Sequence, residues 1–330
     1  MERSAPDRHV EPVAGRSSFH PDIWEMVDML KLPTHNRYPY SAIEHRPAYH
    51  WPSEKRLAFY IALSVEQFAF MSGFGVDPHY GVAGRQTQRN YAWRDYGLRV
   101  GVWRLFDSLK SLGLPATVLM NSLACENYPE IVAKIVERGD DICGHGRTNA
   151  EFLLDVWEHD EARFIAEATE ILTRTFKEHP GGWVGPGGVE TRATPDLLVE
   201  AGYSYSLGWP VDDQPIWMKT RAGRILSVPY PMELNDLGTN VVRDHSGREF
   251  ADMIVDQFDE MIEQSELQPL VMAVSLHPFV SGQPFRLRPV RKALKHCVTH
   301  PKAQKNVWFT TAGEIARYCA DLPPGLIPEA

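Results

Sequence analysis

The stretch LAFYIALSVEQ at residues 57–67 combines a short apolar run with a carboxylate at its end. Further runs of this kind follow, each rich in β-branched or aromatic residues and bounded by Gly, Pro or Asp: ATVLM (116–120), DICGHG (141–146), GWVG (182–185), YSYSLGW (203–209), ILSVPYP (225–231), LVMAVSLHP (270–278) and VWFT (307–310). Short, continuous apolar runs with such boundaries are typical of buried strands. The sequence therefore predicts seven or eight strands, the first over residues 57–63.

Amphipathic segments with helix start signals lie between these runs. Ser246 and Glu249 form a capping-box pattern, and Thr311 and Glu314 repeat it near the C-terminus. Strands separated by helices imply parallel strands joined by βαβ crossovers. A closed or nearly closed (β/α) barrel and an open doubly wound sheet both fit this order. The glycine cluster at residues 185–188 does not match the phosphate-binding pattern GxGxxG, so we predict an α/β fold with a (β/α) barrel.

The composition supports a folded enzyme and argues against several functions. Of the 330 residues, 43% are hydrophobic and 23% charged, which allows a sizeable core. The net charge of −9, without a Lys/Arg block, argues against nucleic acid or a membrane surface as partner. There is no apolar run near the roughly 18 residues of a transmembrane helix, and no secretory signal pattern. The four cysteines are widely spaced, so we expect reduced thiols in a cytoplasmic protein.

The first 55 residues differ in kind from the rest of the chain. They are rich in Pro, His and Tyr, with one helix-like patch around Asp22 to Leu30. Such a segment usually lies across a domain or contacts a neighbouring subunit. We therefore predict an N-terminal arm over 1–55, a single catalytic barrel domain over 56–330, and a homo-oligomer.

Polar residues that follow the predicted strands define a candidate active site. In parallel α/β folds the carboxyl ends of the strands meet on one rim, where active sites lie. Glu66, His145 and His277 each stand at such an end, and we predict that they are catalytic. Other residues of this rim are candidate contacts for a small-molecule substrate: Gln67, Arg147, Asn149, Trp183, Trp209, Asp213 and Asn235.

Structural roles also fit several of these residues. Arg147 fits a rim salt bridge as well as a substrate clamp. Asp213 and Asn235 are also typical turn formers, and the tryptophans fit core packing as well as a substrate shelf. A nucleophilic serine is unsupported because no GxSxG elbow occurs, and Cys143 fits packing better than catalysis.

Several long motifs in order resemble the polysaccharide deacetylase superfamily, from about Arg56 to about Cys319. They are SVEQ (64–67), YGLRVGVWRLF (96–106), DICGHGRTN (141–149), GWVGPGG (182–188), ILSVPYPMELND (225–236), SLHPFVSGQPFR (275–286) and VWFTTAGEIARY (307–318). The likeness is closest to the branch that includes allantoinases and cyclic imide hydrolases, and it implies a distorted (β/α) barrel of seven or eight strands. By position it also implies Glu66 as general base, His145 as the first histidine of a His-x-x-x-His pair, and His277 as general acid.

The sequence departs from the deacetylase pattern at three places. Gln67 stands where the family has a metal-binding acid, Asn149 replaces the second histidine, and the loop WVGPGG lacks the family's arginine. Neutral amides are weak zinc ligands. We therefore expect no cofactor, and metal-independent hydrolysis of a carbon–nitrogen bond in a small cyclic amide, imide or ureide.

Two alternatives stay open from the sequence. One is a carbohydrate N-deacetylase that binds Zn²⁺ through Glu66, His145 and Asn149. The other is a non-catalytic binding protein on the same scaffold.

Overall fold

A curled sheet forms the centre of the protein in our computed structural model, which describes residues 34–71 and 87–329. Within these ranges the strands are β1 (Leu57–Val65), β2 (Ala116–Met120), β3 (Asp141–Gly144), β4 (Gly182–Trp183), β5 (Tyr205–Ser206), β6 (Ile216–Thr220), β7 (Gly223–Ser227), β8 (Leu270–Leu276) and β9 (Val307–Thr310). Their order is β6-β7-β5-β4-β3-β2-β1-β8, and β9 pairs with β1. Every pairing is parallel except that of β6 with β7.

Helices alternate with the strands. They are α1 (Gln88–Tyr96), α2 (Val102–Leu112), α3 (Ser122–Asn127), α4 (Pro129–Arg138), α5 (Glu158–Phe176), α6 (Thr194–Glu200), α7 (Gly247–Gln264), α8 (Pro284–Thr299), α9 (Ala303–Asn306) and α10 (Ala312–Asp321). Two π-helical segments cover Gly97–Gly101 and Leu237–Val242, and 3₁₀ turns cover Ile43–His45, Pro52–Glu54 and Pro186–Gly188. Ser246 and Glu249 form the predicted capping box of α7, and Thr311 caps α10.

The predicted α/β fold with a distorted barrel is confirmed, with one addition. The hairpin of β6 and β7 runs antiparallel at the edge of the sheet, and the sequence did not predict β6. The segment Ile216–Thr220 exposes Lys219 and lacks the continuous apolar run of a strand buried on both faces. The opposite edge of the sheet is β8, so the barrel is a curled, open one.

Strand β1 is buried along its whole length because it packs on both faces. Phe59, Ile61 and Leu63 contribute to an outer hydrophobic cluster with helices α2, α7 and α8. Tyr60 and Ala62 point to an inner cluster that helix α10 also joins. Burying a large apolar side chain contributes roughly 1.5–3 kcal/mol, so this strand anchors the fold.

The pairings of β1 also bring the strand ends of the predicted site together. Its second half pairs with β2, and its first seven residues pair with β8. Strand β3 follows β2 in the sheet. An isolated β-bridge between Asn235 and Ser275 joins the segment after β7 to the end of β8. The residues that follow β1, β3, β7 and β8 therefore meet at one end of the sheet.

The described part of the predicted arm contacts the barrel from Arg37 onward. Arg37 forms a 2.6 Å ion pair with Asp196, and Arg46 forms one of 2.6 Å with Asp212. The Trp51 indole donates to the carbonyl of Leu270 at 3.0 Å and is 1% exposed. The helix-like patch around residues 22–30 lies outside the described residues. The boundary after residue 55 and the contact with a neighbouring subunit stay predictions.

Membrane insertion by a helix finds no support in residues 34–71 and 87–329. None of the helices there is both long and apolar enough to span a bilayer.

Candidate active site

Three predicted catalytic side chains converge at the carboxyl ends of β1, β3 and β8. The Glu66 Oε1 atom lies 3.4 Å from Nε2 of His145 and 3.4 Å from Nε2 of His277. Glu66 is 7% exposed and each histidine is 4% exposed. One carboxylate oxygen thus stands between two imidazoles in a site that is nearly closed to solvent.

Asp236 fixes the orientation of the His277 ring. Its Oδ1 atom accepts from Nδ1 of His277 at 2.7 Å, and its two oxygens also accept from the backbone N–H of His277 at 3.0 and 2.9 Å. The backbone N–H of Ser281 donates to the same carboxylate at 3.2 Å. With Nδ1–H given to Asp236, the Nε2 atom of His277 faces Glu66.

The charges of this pair follow from its surroundings. Burial lowers the pKa of His277, but the carboxylates of Glu66 and Asp236 outweigh burial and raise the pKa to about 10. Burial raises the pKa of Glu66, but His277 and His145 hold it well below its usual range. Glu66 is therefore ionised and His277 is an imidazolium at neutral pH.

His145 is oriented by the backbone of the neighbouring strand. Its Nδ1 atom lies 2.8 Å from the carbonyl oxygen of Val184, so Nδ1 carries the hydrogen and Nε2 faces Glu66. Among the described residues, neither Nε2 of His145 nor Oε2 of Glu66 has a hydrogen-bond partner. These two buried polar atoms are suited to bind a water molecule or a polar substrate group.

Amide side chains at the same rim hydrogen-bond to one another. Asn121 Oδ1 accepts from the backbone N–H of Gln67 at 2.8 Å, and Asn121 Nδ2 donates to Asn149 Oδ1 at 3.3 Å and to the His145 carbonyl. The Gln67 Oε1 atom accepts from Asn127 Nδ2 at 2.9 Å. The side-chain oxygens of Gln67 and Asn149 thus both accept hydrogen bonds from other amide side chains of the rim.

This donor set does not fit the zinc site of a deacetylase. Catalytic zinc takes three protein ligands, usually imidazole nitrogens and carboxylate oxygens. Here the amide oxygens of Gln67 and Asn149 are hydrogen-bonded, and His277 as an imidazolium has no free lone pair. Among the described residues of this set, Glu66 and His145 alone remain as donors. Across the described ranges, no group of three or more His, Cys, Asp or Glu side chains is placed to hold a metal ion.

The predicted substrate contacts fall into different environments. Arg147 binds Glu151 at 2.5 Å and Glu167 at 2.7 Å, which is the rim salt bridge. Trp183 is fully buried in a cluster between the sheet and helices α5 and α6.

The remaining candidates line loops of the same end of the barrel. Trp209 donates to the Glu190 carboxylate at 2.9 Å. Asn235 Oδ1 accepts from the backbone N–H of Leu237 at 3.1 Å, as a turn former does, and the carbonyl of Asp213 accepts from Val271. A contact of these residues with substrate stays a prediction.

Helix α1 and the π-helical segment after it rest on the turn that follows His277. A Cβ atom on Gly97 would lie 2.7 Å from the backbone nitrogen of Phe279. One on Gly101 would lie 2.0 Å from the carbonyl oxygen of Pro278. Only glycine allows this approach at either position. The motif YGLRVG is therefore a packing motif that brings a helix to the active site.

Sequence reasoning passed over two residues that the structure places at the reacting groups. Asp236 ends the stretch ILSVPYPMELND and contacts His277 although it lies nine residues beyond the end of β7 at Ser227. Asn121 follows β2 directly, and its position at a strand end was the available signal.

The proteins that this chain resembles indicate an amide carbon–nitrogen hydrolase of the deacetylase type. Residues 91–206 match the family model "Polysaccharide deacetylase". The structure matches that of Puue allantoinase with a TM-score of 0.78 and 26% identity, over 87% of this chain and 99% of that chain. It matches a "probable Polysaccharide deacetylase from Pseudomonas aeruginosa PAO1" with a TM-score of 0.75 and 27% identity, again over 87% and 99%.

A curated protein extends the same likeness. The peptidoglycan deacetylase of Helicobacter pylori is 24% identical over 249 residues, which cover 66% of this chain and 83% of that protein. The chain thus resembles the polysaccharide deacetylase superfamily in family model, sequence and structure, as the motifs predicted.

Proposed function

We propose that this protein hydrolyses a carbon–nitrogen bond in a small cyclic amide, imide or ureide, without a metal ion. The observation that carries the proposal is the position of Glu66 Oε1, 3.4 Å from Nε2 of both His145 and His277. Hydrolysis of an amide needs a base for water and an acid for the leaving nitrogen. An ionised Glu66 and a protonated His277 provide this pair in one buried site.

The proposed reaction begins with a water molecule held between Glu66 Oε2 and His145 Nε2. Glu66 takes a proton as the water oxygen attacks the carbonyl carbon. His277 then protonates the ring nitrogen as the carbon–nitrogen bond breaks. A carboxylate with a low pKa is a weak base, so we expect the two proton transfers to be coupled. Loss of the positive charge on His277 raises the proton affinity of Glu66.

We infer the class of substrate from the donor set, which does not fit a zinc ion, and from the burial of the three proposed reacting side chains. An acyclic amide has a poor leaving group and depends on a metal to polarise its carbonyl group. A strained or activated ring depends on it less. The three reacting side chains are at most 7% exposed, which favours a small substrate over a polymer. The resemblance to Puue allantoinase supports the same class of substrate.

The test is a substrate screen of the full chain with hydantoins, cyclic imides, allantoin and N-acetyl sugars. We expect ring opening that survives dialysis against a chelator. Glu66→Gln should lower kcat by roughly 10²–10⁴-fold, since general base catalysis is typically of this size. Glu151→Gln, which changes a carboxylate of the rim ion pair, is the matched control and should retain activity.

Two results would replace this proposal. Near-stoichiometric zinc together with turnover of N-acetyl sugars alone would establish the deacetylase that the relative from Helicobacter pylori suggests. Tight binding of a ring compound without turnover, unchanged in Glu66→Ala, would establish a binding protein.

A further inference from the structure

Helix α1 places Arg94 against two aromatic residues that closely follow Glu66 and His277 in the chain. The guanidinium carbon of Arg94 lies 4.0 Å from the centre of the Phe68 ring and 5.8 Å from that of Phe279. The two rings meet edge to face with centroids 6.0 Å apart. Phe68 is two residues beyond Glu66, and Phe279 is two residues beyond His277. The guanidinium of Arg94 therefore packs against the rings of Phe68 and Phe279, which belong to the segments that carry the proposed base and acid.

This position is fixed by packing on both sides of the arginine. Trp93, the preceding residue, meets the Phe279 ring edge to face with centroids 5.0 Å apart. Gly97, one turn later, lies against the backbone of Phe279. The His277 ring also meets the Phe279 ring edge to face, with centroids 5.8 Å apart. The arginine and the general acid thus share one aromatic neighbour.

The charge of Arg94 acts inside the site. The side chain is nine-tenths buried, at 9% exposure, and burial of a charged group costs several kcal/mol without compensation. Burial lowers the pKa of Arg94 to about 10, while the carboxylate of Glu66 raises it, so the guanidinium stays charged at neutral pH. Away from water, a fixed positive charge acts far more strongly than on the surface.

We infer that Arg94 is a catalytic residue of the proposed hydrolase, and that its guanidinium donates hydrogen bonds to the substrate carbonyl oxygen as this oxygen becomes an anion. The inference rests on the proposed function. The loop at residues 182–188 contains no arginine, and the donor set does not fit zinc. Neither a loop arginine nor zinc can therefore stabilise the oxyanion, and we infer that Arg94 on helix α1 does so.

The proposed step balances without a further reactant. The water oxygen bonds to the carbonyl carbon, one water proton goes to Glu66, and the carbonyl π electrons move to the oxygen beside Arg94. The oxyanion then re-forms the carbonyl group, and the ring carbon–nitrogen bond breaks. The nitrogen takes the proton of His277. Arg94 keeps its charge throughout and forms its strongest hydrogen bonds in the intermediate.

Steady-state kinetics of three variants test the role in turnover. Removal of one oxyanion donor typically lowers kcat by about 10²–10³-fold, and we expect this from Arg94→Gln with little change in KM. Arg94→Lys should recover part of the loss, and added guanidinium chloride should partly restore Arg94→Gln. Arg99→Gln, which removes an exposed arginine five residues further on, is the matched control. An increase in KM alone, or equal kinetics for both Gln variants, would overturn the role.

A binding measurement separates this inference from the proposed function. Methylphosphonate is a tetrahedral anion that mimics the intermediate, and its binding by calorimetry does not depend on turnover. We expect the wild type to bind it at least tenfold more tightly than Arg94→Gln, with Arg99→Gln equal to the wild type. No binding by the wild type, or equal affinity in Arg94→Gln, would reject Arg94 as an oxyanion donor even if ring opening occurs. Anion binding without ring opening would instead reject the hydrolase. Thermal melting verifies that each variant is folded.

Discussion

Asp236→Asn tests the acid–base pair most directly. The substitution keeps the shape of the side chain but removes the charge that holds His277 as an imidazolium. The Asp236 carboxylate accepts from His277 Nδ1 at 2.7 Å, and both groups are buried. In the variant an amide group must occupy the place of one carboxylate oxygen. If the amide oxygen accepts from Nδ1 of His277, the NH₂ group faces the backbone N–H of Ser281, and two donors then point at each other.

The size of the effect follows from this hydrogen bond. A hydrogen bond to a charged group contributes about 1.5–3 kcal/mol, and one pKa unit corresponds to about 1.4 kcal/mol. The pKa of His277, about 10 in the wild type, should therefore fall by roughly one to two units. The acid must be protonated to act, so activity is retained below this pKa and lost above it. The alkaline decline of kcat/KM should begin near pH 10 in the wild type and roughly one to two pH units lower in the variant.

The assay is a pH profile of kcat/KM with a ring substrate found in the screen. Asp259→Asn is the matched control, since Asp259 lies 2.6 Å from His296 in a second Asp–His pair outside the site. It should leave the alkaline limb in place. If Asp236→Asn lowers the rate equally at every pH, Asp236 has only a structural role and His277 is not the acid.

The same charge predicts a pH-dependent stability. The pKa of His277 is raised from 6.5 to about 10, so its contribution to stability is fully present below pH 6.5 and is lost as the pH rises toward 10. Urea unfolding of the wild type should show this decline. In Asp236→Asn the decline should be smaller, and an equal decline would place the stabilising charge elsewhere.

Other predictions concern packing and assembly. Gly101→Ala should cost about 1–3 kcal/mol by overpacking against Pro278, whereas Gly238→Ala in the other π-helical segment, where the nearest atom is 3.9 Å away, should be neutral or stabilising by urea unfolding. Arg46→Ala should cost about 3 kcal/mol in the same assay, because it leaves Asp212 without its largely buried partner. Deletion of residues 1–50 should change the sedimentation profile, and an unchanged profile would argue against subunit contacts through the arm.

Much of the fold could be predicted because strands buried on both faces appear as continuous apolar runs. The predicted run at 116–120 matches β2 to the residue, and that at 57–63 falls short of β1 only by Ser64 and Val65. The edge hairpin could not be found in this way, since the exposed Lys219 interrupts the short apolar run of β6. Runs such as YSYSLGW gave strands of only two residues, because the loops after them belong to the rim.

The proposed catalytic groups could be located from the sequence where they follow strands directly, as Glu66 and His145 do. Asp236 comes into contact with His277 through a bridge between segments some 40 positions apart in sequence, and local pattern does not report such a contact. Arg94 lies on a helix rather than at a strand end. Its place depends on glycines that allow close packing, and the sequence shows the glycines but not their neighbour.

The departures from the deacetylase pattern are consistent with one another in the structure. An amide at position 67 or 149 is a poor metal ligand, and the buried Asn149 would be costly without a hydrogen-bond partner. Together with Asn121 and Asn127, Gln67 and Asn149 instead form a hydrogen-bonded rim. A rim of neutral amides adds no charge beside the ionised Glu66 and the positively charged His277 and Arg94. In the proposed mechanism a neutral ring enters this site without a metal ion, and the oxyanion formed during attack is stabilised by the guanidinium of Arg94.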